Sequence, residues 1–291
     1  MKFWFRWNNK KFYIELKEKS MFKTKIGIDK ILIIVLFINI LYIQLYGQES
    51  KTDDDHFYFV QISDTHIGKG TNLEITQRLV KQINELPMNI RFVIHTGDIT
   101  QNGMSDTISV LNAIEALEKL AAPIYYIPGN HDIFQKNLEK EINIFQEYFG
   151  KLIFIRKFKE VSFIGLYSDP LAYSFSVEGY DVFNELENAL RKTYGKPVVV
   201  FHHIPSVEFF YNNTMHDGWD NENRDRWEKT LNSYNVIAIL AGHFHSDEQH
   251  WISEIPLHVS ASVTNRFGRQ PSFRIYEYKN GKLSYRTQYE K

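Results

Sequence analysis

Five short polar clusters, each directly after an apolar run of strand length, carry side chains suited to metal chemistry. They are Asp64-Thr65-His66, Gly97-Asp98, Gly129-Asn130-His131-Asp132, His202-His203-Ile204-Pro205 and Gly242-His243-Phe244-His245. The chain has no cysteine, which excludes thiolate ligands, disulfides and a cysteine nucleophile. A set of oxygen and imidazole donors without sulfur favours Mn, Fe or Zn. The clusters therefore predict a metal site if the fold brings them together.

The elements around these clusters alternate between apolar strands and amphipathic helices, a rhythm that indicates an α/β or layered α+β domain. Ligand sites in such folds lie beyond the carboxyl ends of strands, so the five clusters are expected at one rim. Predicted strands cover residues 57–63, 90–96, 124–127, 152–156, 161–167, 197–201 and 236–240, with a C-terminal hairpin around Asn280-Gly281. Each cluster alone is weak evidence, because turns often contain such residues. Their value lies in the combination.

Four helices are predicted from apolar spacing and cap residues. The first follows a capping-box pattern of Thr71 and Glu74. The second fits Thr107 to Leu120, with a buried face formed by Ile108, Leu111, Ile114 and Leu117. The third lies near Asp181 to Tyr194, and a further helix is expected to end at Gly150.

The order and spacing of the five clusters resemble the calcineurin-like metallophosphoesterase superfamily, whose signature runs D-x-H, G-D, G-N-H-[DE], H, G-H-x-H. The resemblance covers residues from Phe57 onward. It implies an α+β fold, a four-layer α/β/β/α sandwich with two central mixed β-sheets flanked by helices. It also implies a centre of two divalent or trivalent metal ions.

Site roles are carried over from the resemblance residue by residue. It implies that one ion binds Asp64, His66 and His245, and that the other binds Asn130, His203 and His243. Asp98 would bridge both ions, since a carboxylate has two oxygens and its charge reduces their repulsion. Side chains two apart on an extended segment point the same way, which would let the D-x-H and H-x-H pairs flank the ions.

The remaining site residues are less directly determined. The family's His-x-Pro pattern selects His203, with Pro205, over the adjacent His202, which is expected in the core. The resemblance implies that His131 contacts phosphate and protonates the leaving group. Asp132 would hold the other ring nitrogen of His131, or alternatively cap the following helix. No residue is assigned to substrate binding, although Arg266 and Arg269 are candidates for phosphate contact.

The predicted function is hydrolysis of a phosphomonoester or phosphodiester by metal-bound hydroxide at a dinuclear centre, acting on a phosphorylated small molecule. Alternatives are a nucleotide or lipid pyrophosphatase of the same superfamily and a catalytically silent metal-binding module. The silent module is disfavoured because no ligand of the signature is missing. A metal-sequestering surface protein is disfavoured by His131-Asp132, since the signature includes this His without using it as a ligand.

Charge is unevenly distributed along the chain. Residues 1–47 hold nine Lys and Arg against three Asp and Glu, which leaves 25 basic against 32 acidic residues elsewhere. The residues after position 47 have a net negative charge and lack the positively charged surface of a duplex-DNA binder, so no nucleic-acid partner is expected.

The apolar run Ile31–Tyr46 follows Lys23, Lys25 and Lys30 and resembles a secretory signal peptide, with cleavage near Gly47. An uncleaved N-terminal anchor is the alternative, and residues 1–20 could precede a true start at Met21. The predicted organisation is a leader over residues 1–47 and a catalytic domain over 55–291. Both alternatives predict an exported protein, periplasmic or extracellular, that contacts a membrane only through an uncleaved leader.

Overall fold

The computed structural model describes residues 2–7, 10–15, 56–158, 160–207 and 219–291. The chain divides into two units, Met1–Thr52 and Asp53–Lys291. In the first unit, strand β1 (Lys2–Trp7) pairs antiparallel with β2 (Lys10–Glu15).

Most of the predicted leader falls on residues that the structure does not describe. The apolar run Ile31–Tyr46 and the cleavage point expected near Gly47 both lie outside the described ranges. Within those ranges, none of the helices combines the length and apolar character that a membrane span requires.

The second unit alternates strands and helices, as the sequence predicts. Its strands are β3 (His56–Ile62), β4 (Ile90–Thr96), β5 (Ile124–Ile127), β6 (Ile153–Lys157), β7 (Ser162–Leu166), β8 (Val198–Phe201), β9 (Val236–Ala241), β10 (Glu248–Ile252), β11 (Ile255–Val259), β12 (Ser272–Lys279) and β13 (Lys282–Tyr289). Its α-helices are α1 (Asn72–Asn84), α2 (Thr107–Leu117), α3 (Leu138–Tyr148), α4 (Asp169–Ala172), α5 (Val182–Arg191) and α6 (Asn221–Asn232).

The strands form two mixed sheets. One has the order β13-β12-β3-β4-β5, and the other has the order β10-β11-β9-β8-β7-β6. In the first sheet β3, β4 and β5 are parallel, and in the second β7, β8, β9 and β11 are parallel. The remaining pairings are antiparallel, including the predicted C-terminal hairpin of β12 and β13. Parallel strands within each sheet end at a common edge, which is where the polar clusters follow.

Three apolar clusters define the layers. An aromatic cluster lies between the sheets, where Phe59 and Phe92 of one sheet contact Phe163 of the other. A second cluster joins the outer face of the five-stranded sheet to α1, α2 and α3. A third joins the outer face of the six-stranded sheet to α5 and α6. The predicted four-layer α/β/β/α sandwich is therefore confirmed.

Two helix details differ from the predictions. Thr71 makes no side-chain cap hydrogen bond to α1, so the capping box does not form. In α2 the predicted inward residues Ile108 and Leu111 are 75% and 53% exposed, whereas Val110 and Ala113 are buried. Apolar side chains occur around most of this helix, so its sequence alone did not identify the buried face. Helices α4 and α6 and the hairpin of β10 and β11 were not predicted.

Candidate metal centre

All five predicted clusters lie at the carboxyl ends of parallel strands, and the two sheets bring them to one rim. Asp64 and His66 follow β3, Asp98 follows β4, and the Asn130 loop follows β5. His203 follows β8 in the other sheet, and the His243–His245 loop follows β9. Because the sheets pack face to face with these edges together, residues far apart in sequence become neighbours. The expected convergence of the five clusters is confirmed.

The first group of polar side chains is centred on Asp64. The Nε2 atoms of His66 and His245 lie 3.1 Å apart, and they lie 3.8 and 3.1 Å from Asp64 Oδ1. Asp98 Oδ2 is 3.6 Å from His66 Nε2. One ligand atom from each of these four buried residues lies within 4.8 Å of the others. Two carboxylates and two imidazoles that converge on one point fit a divalent cation.

The second group shares the Oδ2 atom of Asp98 with the first. His203 Nε2 is 3.3 Å from Asp98 Oδ2 and 3.1 Å from Asn130 Oδ1. The rings of His203 and His243 are edge to face with centroids 5.1 Å apart. Ligand atoms of Asp98, His203 and His243 again lie within 4.8 Å of one another. Among the described residues, these two groups share only Asp98, which is the position that a bridging ligand requires.

The neighbouring histidines His202 and His203 occupy different environments. His203 faces the cluster, and its Nδ1 donates to the carbonyl of Thr96 at 2.7 Å, which leaves Nε2 available as a ligand. The fully buried ring of His202 packs edge-on against Trp219 and Trp227, with centroids 5.6 and 5.1 Å away. The structure therefore places His203 at the centre and His202 in the core, as the His-x-Pro spacing predicts.

Backbone conformation at the rim is not extended, contrary to the argument made from the D-x-H and H-x-H spacing. Positive φ angles occur at Asp64 (57°), His66 (43°), Asp98 (57°), His243 (70°) and His245 (53°). Residues other than glycine rarely adopt this left-handed region, and each such residue costs on the order of 1–3 kcal/mol. Tight turns, rather than strand alternation, aim these side chains at a common point.

Two of the rim glycines illustrate why no side chain fits at these positions. Gly97 has a φ of 95°, and a Cβ atom there would lie 2.5 Å from His203 Nδ1. A Cβ atom at Gly242 would lie 2.8 Å from Asp64 Oδ2. A side chain at either position would displace a residue of the centre.

Electrostatics of the rim follow from its burial and its opposite charges. Burial alone would raise the pKa of Asp64, but the facing His245 and His203 hold that pKa well below its usual range. Burial alone would lower the pKa of His203, but the attraction and hydrogen bonding of Asp98 raise it to about 10. Burial lowers the pKa of His66 to about 3, because the carboxylates only partly oppose it. The ionised aspartates and the neutral His66 form a suitable ligand set for a cation, and a metal ion bound by His203 would displace the proton that Asp98 stabilises on that ring.

His131 lies beside this centre. Its ring is edge to face with His66, with centroids 4.8 Å apart, and its backbone N–H donates to Asp98 Oδ1 at 2.8 Å. The Nδ1 atom lies 3.0 Å from both the backbone carbonyl oxygen and the side-chain amide nitrogen of Gln101. Gln101 therefore engages Nδ1 in either tautomer, and Nε2 is the nitrogen available to a ligand. Gln101 lies outside the five clusters, and its position in the sequence did not predict this contact.

The structure corrects the prediction for Asp132, because this carboxylate does not hold the His131 ring. Its oxygens accept the backbone N–H groups of Ile99, Thr100 and Gly129 at distances of 2.8 to 3.1 Å. The donors belong to the loops after β4 and β5, so Asp132 ties these two loops together. It does not cap the following helix either, and its described contacts give it a positioning role instead of a catalytic one.

An open cavity of about 220 Å³ gives access to the centre. Its lining includes Asp98, His131 and His245 together with three residues outside the clusters, Tyr173, Arg266 and Phe267. Arg266 Nη1 lies 3.1 Å from His66 Nε2, so the guanidinium group lies directly over the first ligand group. Arg269 instead donates to the backbone carbonyl of His245. The spacing of the motifs gave no signal for Tyr173 or Phe267, which follow α4 and β11.

Comparison with known proteins explains this arrangement. The family described as calcineurin-like phosphoesterase matches residues 57–247. The chain belongs to the calcineurin-like phosphoesterase family. It is accordingly a hydrolase of phosphoester bonds, and the buried aspartate and histidine groups fit the metals that this family uses.

Two relatives are similar to this phosphoesterase over most of its catalytic region. A probable glycerophosphodiester phosphodiesterase from Arcobacter nitrofigilis is 33% identical over 202 residues, which cover 64% of this chain and 71% of the relative. A probable cyclic nucleotide phosphodiesterase from Colwellia psychrerythraea is 26% identical over 204 residues, covering 65% and 71%.

Solved structures support the fold alone, because their sequence identity is low. A dimetal phosphatase from Danio rerio has a TM-score of 0.57 and 12% identity, with coverage of 81% of this chain and 99% of that one. GAP50, the anchor in the inner membrane complex of Plasmodium, has a TM-score of 0.59 and 13% identity, with coverage of 81% and 85%. Both have the layered architecture of the phosphoesterase.

Proposed function

We propose that this phosphoesterase hydrolyses small phosphodiesters with two metal ions that share the Asp98 carboxylate. The observation that carries the proposal is the pair of buried ligand groups with Asp98 as their common member. The first ion would bind Asp64, His66 and His245, and the second would bind Asn130, His203 and His243. Donors without sulfur suit Mn, Fe or Zn.

Two cations held by these residues would supply Lewis-acid stabilisation of the phosphoryl group and would lower the pKa of a bound water. The chain's own residues prepare the positions of the ligands. The Thr96 carbonyl accepts a hydrogen bond from Nδ1 of His203, and this contact directs Nε2 toward Asp98 and Asn130. Asp132 holds together the loops that carry Asp98 and Asn130. These contacts keep the ligands in place before substrate binds.

His131 is the proposed general acid. Gln101 engages Nδ1, so a proton for the departing alkoxide would come from Nε2. Its backbone contact to Asp98 keeps this ring close to the shared ligand. No serine or cysteine nucleophile is required, because water attacks phosphorus in line.

Arg266 is the proposed contact for the phosphate group. It supplies the cationic side chain among the described residues that line the cavity at the centre. Its Nη1 atom is close to His66 Nε2, a proposed metal ligand. A cation bound at His66 would repel the guanidinium group, which could then contact the substrate phosphate. A guanidinium group can donate two parallel hydrogen bonds to the non-bridging oxygens of a diester. The names of the two relatives, both phosphodiesterases, support the same substrate class.

The test uses the purified full-length chain with its metals removed by a chelator. We expect hydrolysis of bis(4-nitrophenyl) phosphate to disappear on chelation and to return with Mn, Fe or Zn. The diester should be hydrolysed with a higher kcat/KM than 4-nitrophenyl phosphate. Full activity of the chelated protein, with metal content verified as zero, would refute the proposal, and a preference for the monoester would refute its diester part.

We also propose that the catalytic unit is exported. The support is the Lys-flanked apolar run Ile31–Tyr46 ahead of a polar segment. A fusion of residues 1–60 to alkaline phosphatase should be active outside the cytoplasm, whereas replacement of two leucines of the run by arginine should abolish that activity. An inactive wild-type fusion that accumulates in the cytoplasm would contradict export.

A further inference from the structure

A second cavity, of about 240 Å³, adjoins the metal centre. It shares Asn130 and Tyr173 with the cavity at the centre, so the two spaces are neighbours. Four aromatic side chains line it, namely Phe134, Tyr167, Tyr173 and Phe175. The one ionisable acid in its lining is Asp169, and the described lining contains no lysine or arginine. The volume is below the roughly 300–1,000 Å³ typical of drug-sized ligands, so a small group fits.

Asp169 is the unusual member of this cavity. Its side chain is 1% exposed, and neither carboxylate oxygen has a hydrogen-bond partner in the described part of the chain. Nearly all buried polar groups in folded proteins are hydrogen-bonded, and an unpaired buried carboxylate is costly. Burial raises the pKa of Asp169 to about 8 for the same reason. The proposed mechanism does not use this group. The free-energy cost of burying it unpaired would be offset if a ligand bound to it.

We propose that the aromatic residues and Asp169 bind an ammonium group on one alcohol substituent of the phosphodiester. Aromatic faces attract cations, and an organic ammonium ion among several rings is a recurrent arrangement. The carboxylate would supply the counter-charge. An amino alcohol such as choline or ethanolamine would hold Asp169 ionised, whereas an alcohol with only hydroxyl groups would leave the buried carboxyl group protonated near neutral pH. This inference rests on the proposed function, because it assigns one half of the diester substrate.

The experiment compares two esters that differ in one charge. One is 4-nitrophenyl phosphorylcholine, and the other is its 3,3-dimethylbutyl analogue, in which carbon replaces nitrogen. Both release the same nitrophenolate. We expect the metal-loaded wild type to favour the choline ester by about 10- to 100-fold in kcat/KM. Asp169→Asn should abolish that preference and change kcat/KM for the neutral ester by less than about twofold.

Two controls separate binding from structural roles. Asp225→Asn removes one negative charge from an exposed position of α6 and should keep the preference. Thermal unfolding of ligand-free Asp169→Asn should occur near the wild-type temperature, because an unpaired buried carboxyl group is replaced by an amide of the same shape. A fall in unfolding temperature together with equal losses on both esters would assign Asp169 a structural role and overturn the inference.

Other outcomes distinguish this inference from the proposed function. Equal wild-type kcat/KM for the two esters, with normal metal dependence, overturns the ammonium site and leaves the phosphodiesterase proposal intact. A glyceryl ester that is preferred over the choline ester, with the preference lost in Asp169→Asn, also overturns it in favour of a hydroxyl site. Failure of the metal-loaded wild type to hydrolyse any of these diesters would refute the proposed function itself.

Discussion

The metal rim and the aromatic core between the sheets are built from the same strands, yet they obey opposite rules. In the core, Phe59 is fully buried and stacks on Phe92 and Tyr276, with centroids 5.0 and 4.9 Å apart. At the rim, two imidazole nitrogens lie 3.1 Å apart and five residues other than glycine have left-handed backbones. The core lowers the free energy of the folded state, whereas the rim raises it. The rim persists because the core and the sheets determine its geometry.

The largest expected effect comes from removing the side chain that the two ligand groups share. Asp98→Ala should lose both metals and more than about 10⁴-fold in activity, which exceeds the contribution of one general acid. Metal analysis and kcat/KM for a diester measure the two losses. Asp225→Asn is the control for a lost charge. An Asp98→Ala variant that keeps two metals per chain would show that Asp98 does not bridge them.

His131→Ala should separate catalysis from metal binding at the rim. Every proposed ligand remains, so metal content should stay at the wild-type value while kcat falls about 10²–10⁴-fold on alkyl esters. Nitrophenyl esters should lose less activity, because nitrophenolate departs without a proton. His250→Ala, at a partly exposed position outside the centre, is the matched control. Loss of metals from the His131 variant would make His131 a ligand.

Phe59→Ala tests the other half of the comparison. Removal of a large buried aromatic side chain typically costs about 3–5 kcal/mol in the free energy of unfolding. Urea denaturation of the metal-free protein should report that loss, while kcat of the folded, metal-loaded variant should change by less than about threefold. A large fall in kcat without a fall in the free energy of unfolding would contradict this expectation. It would show that Phe59 influences the positions of the rim residues directly.

The smallest effect concerns the adjacent histidines: His203 belongs to the rim, and His202 packs against the apolar cluster on the outer face of the six-stranded sheet. Burial lowers the pKa of His202 to about 3, below the unfolded value of about 6.5. The unfolded state therefore binds the proton first, and stability falls as the pH drops below 6.5. Between pH 7 and pH 5 the loss from His202 should be about 2 kcal/mol.

His202→Phe removes this titrating group from the core and should reduce the acid loss by that amount. Urea denaturation of the chelated protein at both pH values measures it without a contribution from metal release. His250→Phe serves as the comparison at a partly exposed position. An unchanged pH dependence in His202→Phe would show that His202 is not held neutral in the folded state.

Motif spacing was informative where one function requires particular residues at particular chain positions. The five clusters, the strands before them and the choice of His203 over His202 were all predicted. Residues that reach the centre from loops without a motif were missed, as with Gln101 and Tyr173. Apolar periodicity failed for α2, because both Ile108 and Val110 fit a buried helix face. Only packing against the sheet buries Val110 and exposes Ile108.

The sequence by itself determined the family, the layered architecture and the chemistry of the ligands, since these depend on residue types and on the order of strands. Tertiary structure decided how those residues are aimed. The left-handed turns at Asp64 and His243, the contacts of Asp132 with two loops and the unpaired carboxylate of Asp169 depend on neighbours distant in the chain. Local sequence disfavours each of these arrangements. They exist because two packed sheets hold the loops in positions that the loops alone would not adopt.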